Sequence, residues 1–281
     1  MSRIDAGRGE ATWRGAPQPV NARPGLVGWL RALLRGAGIV LVLLAGVIGL
    51  LILRLIERPF HGPRRPWTGP WVQGVCRICL GIIGLGWRRI GTPMKGFGAA
   101  VANHSTWLDI FTLNAAMPIF FVSKSEVAGW PGINILTKVT NTHFVRRDPK
   151  FARAQAAEFA ERTAAGHRLL FFPEGTSTDG RRILPFKATL FQGFLAPELP
   201  DGLAVQPVTV NYFAPEGEDP RFYGWWGDMD LGSHLLKVLS AGRQGHVSVT
   251  LHPPVPVKGL DRKELSRRCE AAVRQGFQAG G

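Results

Sequence analysis

Eighteen consecutive residues without a charge, "GAGIVLVLLAGVIGLLIL" from Gly36 to Leu53, constrain this chain more than any other feature. As a helix they reach about 27 Å, close to the roughly 30 Å of a bilayer's hydrocarbon core. A secretory leader would have a shorter apolar core nearer the start, followed by a small-residue cleavage site. Here the run follows a 35-residue arm carrying six arginines, so it reads as a retained membrane segment; a buried core helix is the soluble alternative. A second stretch, "GPWVQGVCRICLGIIGLGW" (69–87), is apolar except for Gln73 and Arg77. It suits an interfacial helix, with Trp67, Trp71 and Trp87 as anchors at headgroup level. Arg31 and Arg35 precede the first run, and Arg54, Arg58, Arg64 and Arg65 follow it. Basic residues on both sides leave orientation open, and a helical pair dipping into one leaflet fits as well as a span.

The rest of the 281 residues has room for one α/β domain or two small ones. A composition 45% hydrophobic and 19% charged excludes a disordered chain. The net charge of +14 raises nucleic acid as a partner, but the arginines are dispersed and no zinc-finger or RNA-recognition signature accompanies them. Anionic lipid headgroups, or an acidic carrier protein, suit that charge better beside a membrane segment. Cys76, Cys79 and Cys269 are too few for a disulfide framework, and the Cys76-x-x-Cys79 pair lacks the second pair a metal site needs.

Three regions follow: a basic flexible arm (1–35), a membrane-associated helical segment (36–90) and an α/β domain (91–281). In the last, short apolar runs alternate with helical patterns. Strands are read at 97–103, 118–123, 142–146, 168–173, 203–211 and 246–252. One helix opens at Asp148-Pro149 and stops at Gly166; another opens at Asp261 with Glu264 three residues on and runs to about Phe277. This alternation predicts an α/β fold, a mostly parallel sheet flanked by helices, preceded by an N-terminal membrane-embedded helical pair.

Within "ANHSTWLDI" (102–110), His104 and Asp109 stand five positions apart. On one ideal helix they would point about 140° apart. They can meet only if His104 lies in the loop after a strand and Asp109 in the first turn of the next helix, with Ser105 or Thr106 as N-cap. Asp109 is then favoured as a carboxylate at the positive helix end. It would orient one imidazole nitrogen and leave the other as a base. The same residues also read as a plain helix cap beside a loop histidine. In "LLFFPEGTSTDGRRILPFK" (169–187), an apolar strand delivers Glu174, Gly175, Thr176 and Ser177 at its C-terminal end, the edge where open α/β sheets bind ligands. A polar turn with a solvated glutamate is the alternative there. "FVRRD" (144–148) ends another strand in two arginines, of which only one can face a common site.

Asn103-His104-x4-Asp109, followed by Phe172-Pro173-Glu174-Gly175-Thr176, resembles the glycerolipid acyltransferase family, which includes the bacterial 1-acylglycerol-3-phosphate acyltransferases. Phe144-Val145-x-Arg147 is similar to that family's second block and Val205-x-Pro207-Val208 to its fourth, so the resemblance covers roughly residues 95–215. It implies a membrane-bound enzyme moving an acyl group from a thioester, on acyl-carrier protein or coenzyme A, to a hydroxyl, with no metal or redox cofactor. His104 would be the general base and Asp109 its orienting partner. Asn103, Arg147, Glu174, Gly175, Thr176, Ser177 and Lys187 would serve acceptor binding and site support. The glycerophosphate enzymes carry arginine after the Gly-Thr, suited to bidentate phosphate contact, where this chain has Ser177. With "GWWGDMDL" (224–231), the whole stretch looks most like lyso-ornithine lipid acyltransferases, which acylate the hydroxyl of a 3-hydroxyacyl amide of ornithine. Lysophosphatidate stays open as the acceptor. The resemblance further implies the bacterial inner membrane, with catalysis at the cytoplasmic face, membrane lipids and an acyl-carrier protein as partners, and no nucleic acid; oligomeric state is open. A non-catalytic basic membrane-binding protein is the remote rival. A hydrolase using the same His/Asp pair would need a nucleophile, and no G-x-S-x-G elbow is present.

Overall fold

In the computed structural model, which describes residues 12–19, 23–62, 64–96, 98–124, 143–145, 159–196, 199 and 202–278, the long apolar run is the centre of a 36-residue helix, α1 (Leu26–His61). The helix starts ten residues before the apolar run, inside the stretch read from sequence as a flexible arm. Arg31 and Arg35 explain this early start. Arg31 Nη1 donates to the Ser240 carbonyl at 2.7 Å, and Arg35 Nη1 to those of Leu239 and Ala241 at 3.0 and 2.8 Å. These carbonyls close a later helix, α4 (Leu231–Ser240), whose negative end favours a cation. Residues 12–19 also pack on the domain rather than standing off it, as described below.

The second apolar stretch is α2 (Thr68–Ile83), folded back on α1. Gly46 admits the close approach, since a Cβ there would sit 2.9 Å from Val75, while Trp71 Nε1 donates to the Gly46 carbonyl at 2.9 Å. Glu57, fully buried on α1, accepts the backbone N–H groups of Trp67 and Thr68 and the Thr68 hydroxyl, the last at 2.7 Å, and so caps α2. Leu33, Leu41, Leu44, Ile48, Leu55 and Phe60 of this pair remain exposed. α1 is long and apolar enough to cross a membrane. A soluble protein rarely shows so continuous an apolar surface, and membrane association accounts for it.

Among the described residues, eight strands form one mixed, mostly parallel sheet: β1 (Gly86–Ile90), β2 (Gly98–Ala102), β3 (Phe120–Lys124), β4 (His143–Val145), β5 (Leu169–Phe171), β6 (Ala204–Phe213), β7 (His246–Leu251) and β8 (Val255–Pro256). Their spatial order is β1-β7-β6-β2-β5-β3-β4, with β8 on β6. β6, β2, β5, β3 and β4 run parallel; β7 is antiparallel to β6, and β1 is parallel to β7. β1 and β8 were not read from sequence. β1 shows why a boundary at residue 91 is too late: the sheet begins at Gly86, within the stretch assigned to the membrane segment.

Alternation along β6 divides the two cores. Val208, Val210 and Tyr212 face the layer of α1, α2, α3 (Asp109–Ala116) and α4, while Val205 faces α5 (Arg262–Gly276) and a 3-10 stretch at Ala188–Leu195. Asp261 caps α5 as its sequence predicts, accepting from the N–H groups of Lys263 and Glu264 at 2.8 Å. Helix is seen at 159–164 and Gly166 ends it at φ 85°; its predicted start at Asp148-Pro149 lies outside the described residues, as does Arg147.

Candidate active site

β2 ends at Ala102, and α3 begins at Asp109. The five-residue spacing is therefore bridged as predicted, with His104 in the loop and Asp109 at the first helical position. His104 Nδ1 lies 2.7 Å from Asp109 Oδ2. The cap differs from expectation. The Thr106 hydroxyl accepts from Leu108 N only at 3.5 Å, and the Asp109 carboxylate itself reaches back to the N–H groups of Ser105 (2.9 Å) and Thr106 (3.2 Å). Its other oxygen accepts the Tyr212 hydroxyl at 2.8 Å. Asp109 is fully buried, so this set of donors offsets the cost of removing a carboxylate from water.

The His104 side chain keeps 23% of its surface exposed, and its ring stacks on Phe172 at 4.0 Å between centroids. With Nδ1 committed to Asp109, the neutral ring carries its proton there and presents the Nε2 lone pair as an acceptor. This is the arrangement a general base requires.

The backbone of His104 is tied on both sides to the loop after β5. Its N–H donates to Glu174 Oε1 at 2.8 Å, and its carbonyl accepts from Thr178 N at 3.0 Å. The second Glu174 oxygen accepts Leu184 N at 2.6 Å. Burial pushes the Glu174 carboxyl up to about 8, with the two backbone N–H groups pulling the other way. Both oxygens face backbone donors, which satisfies the buried carboxyl. Glu174 thus locks two segments seventy positions apart into one loop cluster. Trp225, from "GWWGDMDL", adds a third tie, its N–H donating to the Ser105 carbonyl at 2.9 Å.

Gly175 sits at φ 74°, where a side chain is strained, and a Cβ there would meet Lys187 Nζ at 2.7 Å. Lys187 therefore stands beside the Gly-Thr turn, with its N–H on the Pro173 carbonyl at 3.0 Å. The Thr176 hydroxyl oxygen accepts Trp13 N at 3.2 Å, and Ser177, half-buried, follows it. Asn103 does not belong with the acceptor contacts expected of it. It is buried, and its amide donates to the Val210 carbonyl (2.9 Å) and accepts from Val210 N (2.8 Å), which makes it a strut between β2 and β6.

Two participants escape a reading by local motif. Tyr212 lies 103 positions from Asp109, and only the period-two alternation through Val208 and Val210 places it on the α3 face. Residues 12–19 are the other. Trp226 Nε1 donates to the Ala16 carbonyl (3.2 Å), Arg14 forms a fork with Asp228 (2.7 and 2.8 Å), and Arg182 lies over the Trp13 ring. Nothing in that Gly- and Pro-rich stretch announces these contacts.

The Acyltransferase family model matches residues 93–211, the span holding both loops. The chain is 55% identical to a lyso-ornithine lipid O-acyltransferase of Rhodobacter capsulatus, over 94% of this chain and 96% of that one. Another, from Pseudomonas aeruginosa, is 41% identical over 62% of this chain and 65% of its own length. Among solved structures, the 1-acyl-sn-glycerophosphate acyltransferase PlsC of Thermotoga maritima aligns with a TM-score of 0.63, covering 89% of this chain and 96% of that one at 19% identity, a likeness of fold.

Proposed function

The chain belongs to the acyltransferase family and is an enzyme of acyl transfer, and from that premise we propose that it O-acylates lyso-ornithine lipid, with His104 as general base. The observation carrying the mechanism is the 2.7 Å contact of His104 Nδ1 with a buried Asp109, beside an exposed ring edge. His104 Nε2 accepts the proton of the acceptor's 3-hydroxyl as that oxygen bonds to the thioester carbonyl carbon. The C–S bond of the resulting tetrahedral adduct then breaks, and the leaving thiolate takes the proton back from the imidazolium. Asp109 stabilises the imidazolium charge between these steps. The acceptor hydroxyl is the nucleophile, so the enzyme supplies none. The thioester, on acyl-carrier protein or coenzyme A, is a substrate rather than a resident cofactor. Acyl-carrier protein is favoured by the basic charge of +14. The bacterial relatives and the exposed apolar pair α1–α2 support catalysis at the cytoplasmic face of the inner membrane.

Ser177, where phosphate-handling relatives place arginine, supports ornithine as the acceptor headgroup. Lys187 beside Gly175 favours a second reading, in which lysophosphatidate is accepted as well. Purified protein in detergent, given labelled acyl-carrier-protein thioester and either acceptor, separates the two. His104→Ala is expected to lose about 10²–10⁴-fold in turnover. Full turnover by that variant, or acylation of neither acceptor, refutes the proposal.

A further inference from the structure

Between the N-terminal segment and the loop after β5 lies a cleft of about 500 Å³ that the mechanism above does not use. Backbone at 15–17 closes one side, and Asp179, Arg181, Arg182, Asp219, Pro220 and Arg221 line the rest. Four of its five charged side chains form two forks, and Arg181 adds a further positive charge. Arg182 gives Nε and Nη2 to Asp179 at 3.1 and 3.0 Å, and Arg221 gives Nε and Nη2 to Asp219 at 2.9 and 2.6 Å. Arg221 Nη1 also donates to the Pro17 carbonyl at 3.0 Å, which ties the N-terminal segment to this wall. The cleft adjoins the catalytic loop through its backbone. Asp179 follows Thr178, whose N–H is bonded to the His104 carbonyl, and a Cβ on Gly180 would lie 3.7 Å from Ser105 Oγ.

We infer that this cleft takes the zwitterionic amino-acid headgroup of the acceptor, its carboxylate against Arg182 and the neighbouring Arg181 and its ammonium against Asp219, which Arg221 holds in place. The inference rests on the acceptor proposed above. In a 3-hydroxyacyl amide of ornithine, five bonds separate the hydroxyl-bearing carbon from the carboxylate carbon, about 6 Å in extended form. A hydroxyl at His104 therefore leaves the headgroup in the adjoining space. Mixed charge in the lining selects for a zwitterion. Asp219 retains 34% of its side-chain surface, enough to meet an ammonium, and its carboxyl is held down to about 2 by Arg221, so it stays charged.

The full chain in mixed micelles tests this with three acceptors: lyso-ornithine lipid, the same lipid with its carboxylate esterified and its amine acetylated, and lysophosphatidate. The expected kcat/KM for the zwitterion exceeds that for the neutral analogue about tenfold or more, through KM, as charged hydrogen bonds of ordinary strength require. Asp219→Asn and Arg221→Gln are expected to narrow that ratio to about threefold, and Asp219→Glu to restore most of it. Because each ratio comes from one preparation, it is independent of the fraction folded. A parent ratio near one, or a ratio both variants leave unchanged, overturns the headgroup assignment while O-acylation stands. Lysophosphatidate acylated with neither hydroxyacyl amide touched overturns the acceptor itself, and the inference with it.

Discussion

Replacing Tyr212 by phenylalanine removes one oxygen atom from beneath the site. That oxygen is 2.8 Å from Asp109 Oδ1 and 3.1 Å from the Thr112 hydroxyl, in a buried environment. Of the donors on Asp109, two are backbone N–H groups that any residue would supply and one is His104 itself. Tyr212 is the remaining side chain holding the carboxylate. A hydrogen bond to a charged group contributes about 1.5–3 kcal/mol, and at about 1.4 kcal/mol per decade this is about 10–100-fold in rate if expressed wholly at the transition state. Tyr212→Phe is therefore expected to lower kcat at least about tenfold and leave KM within about twofold, since the phenol touches no substrate. A double-mutant cycle isolates the route. In an Asp109→Ala background the hydroxyl has no carboxylate to hold, so the same change should cost no further activity. Losses that multiply independently would show that Tyr212 acts elsewhere, and the reasoning fails. Denaturant unfolding of the single variant gives the ground-state share of the same energy.

Glu174→Gln keeps the shape but turns an amide NH2 toward one of the two backbone N–H groups of His104 and Leu184; a loss of about 1–3 kcal/mol in unfolding free energy and a marked fall in kcat are expected. Ser177→Arg should raise the lysophosphatidate-to-lyso-ornithine-lipid ratio of kcat/KM, and an unchanged ratio would show that this position does not set acceptor choice. His234, buried in α4 with Nδ1 accepting the Trp107 indole N–H at 3.0 Å, is pushed down to about 3 chiefly by burial. A depressed histidine contributes stability that is present above its unfolded value near 6.5 and lost as pH falls toward 3. Unfolding free energies measured across that window should therefore fall with acid, and His234→Asn, which keeps an acceptor for Trp107, should flatten the slope.

The geometry of the two loops was legible because it is local in sequence. A histidine leaving a strand and an aspartate opening a helix are fixed by spacing, and Glu174 at a strand's C-terminal end by the edge rule of parallel sheets. What escaped was long-range. Asn103 looks like a site residue in the linear chain, and only the neighbouring β6 reveals that both ends of its amide are spent on Val210. The segment at 12–19 is rich in residues that favour loops, and its place on Trp226, Asp228 and Arg221 depends on surfaces assembled from the far end of the chain. β1 went unread because its first two residues, Gly86 and Trp87, close the apolar stretch read as one helix, which ends at Gly84, at φ 83°.

The arginine clamp between α1 and α4 has a consequence for how a lipid is handled. Three guanidinium contacts fasten the long apolar helix directly to the domain that carries His104. The depth of the site relative to the bilayer is then a fixed dimension of the protein. Lifting an acceptor's tail out of the membrane would cost about 0.8 kcal/mol per methylene, more than 10 kcal/mol for a 16-carbon chain. Holding the site at the level of the headgroups would spare that cost, because the acceptor's tail would never leave the bilayer.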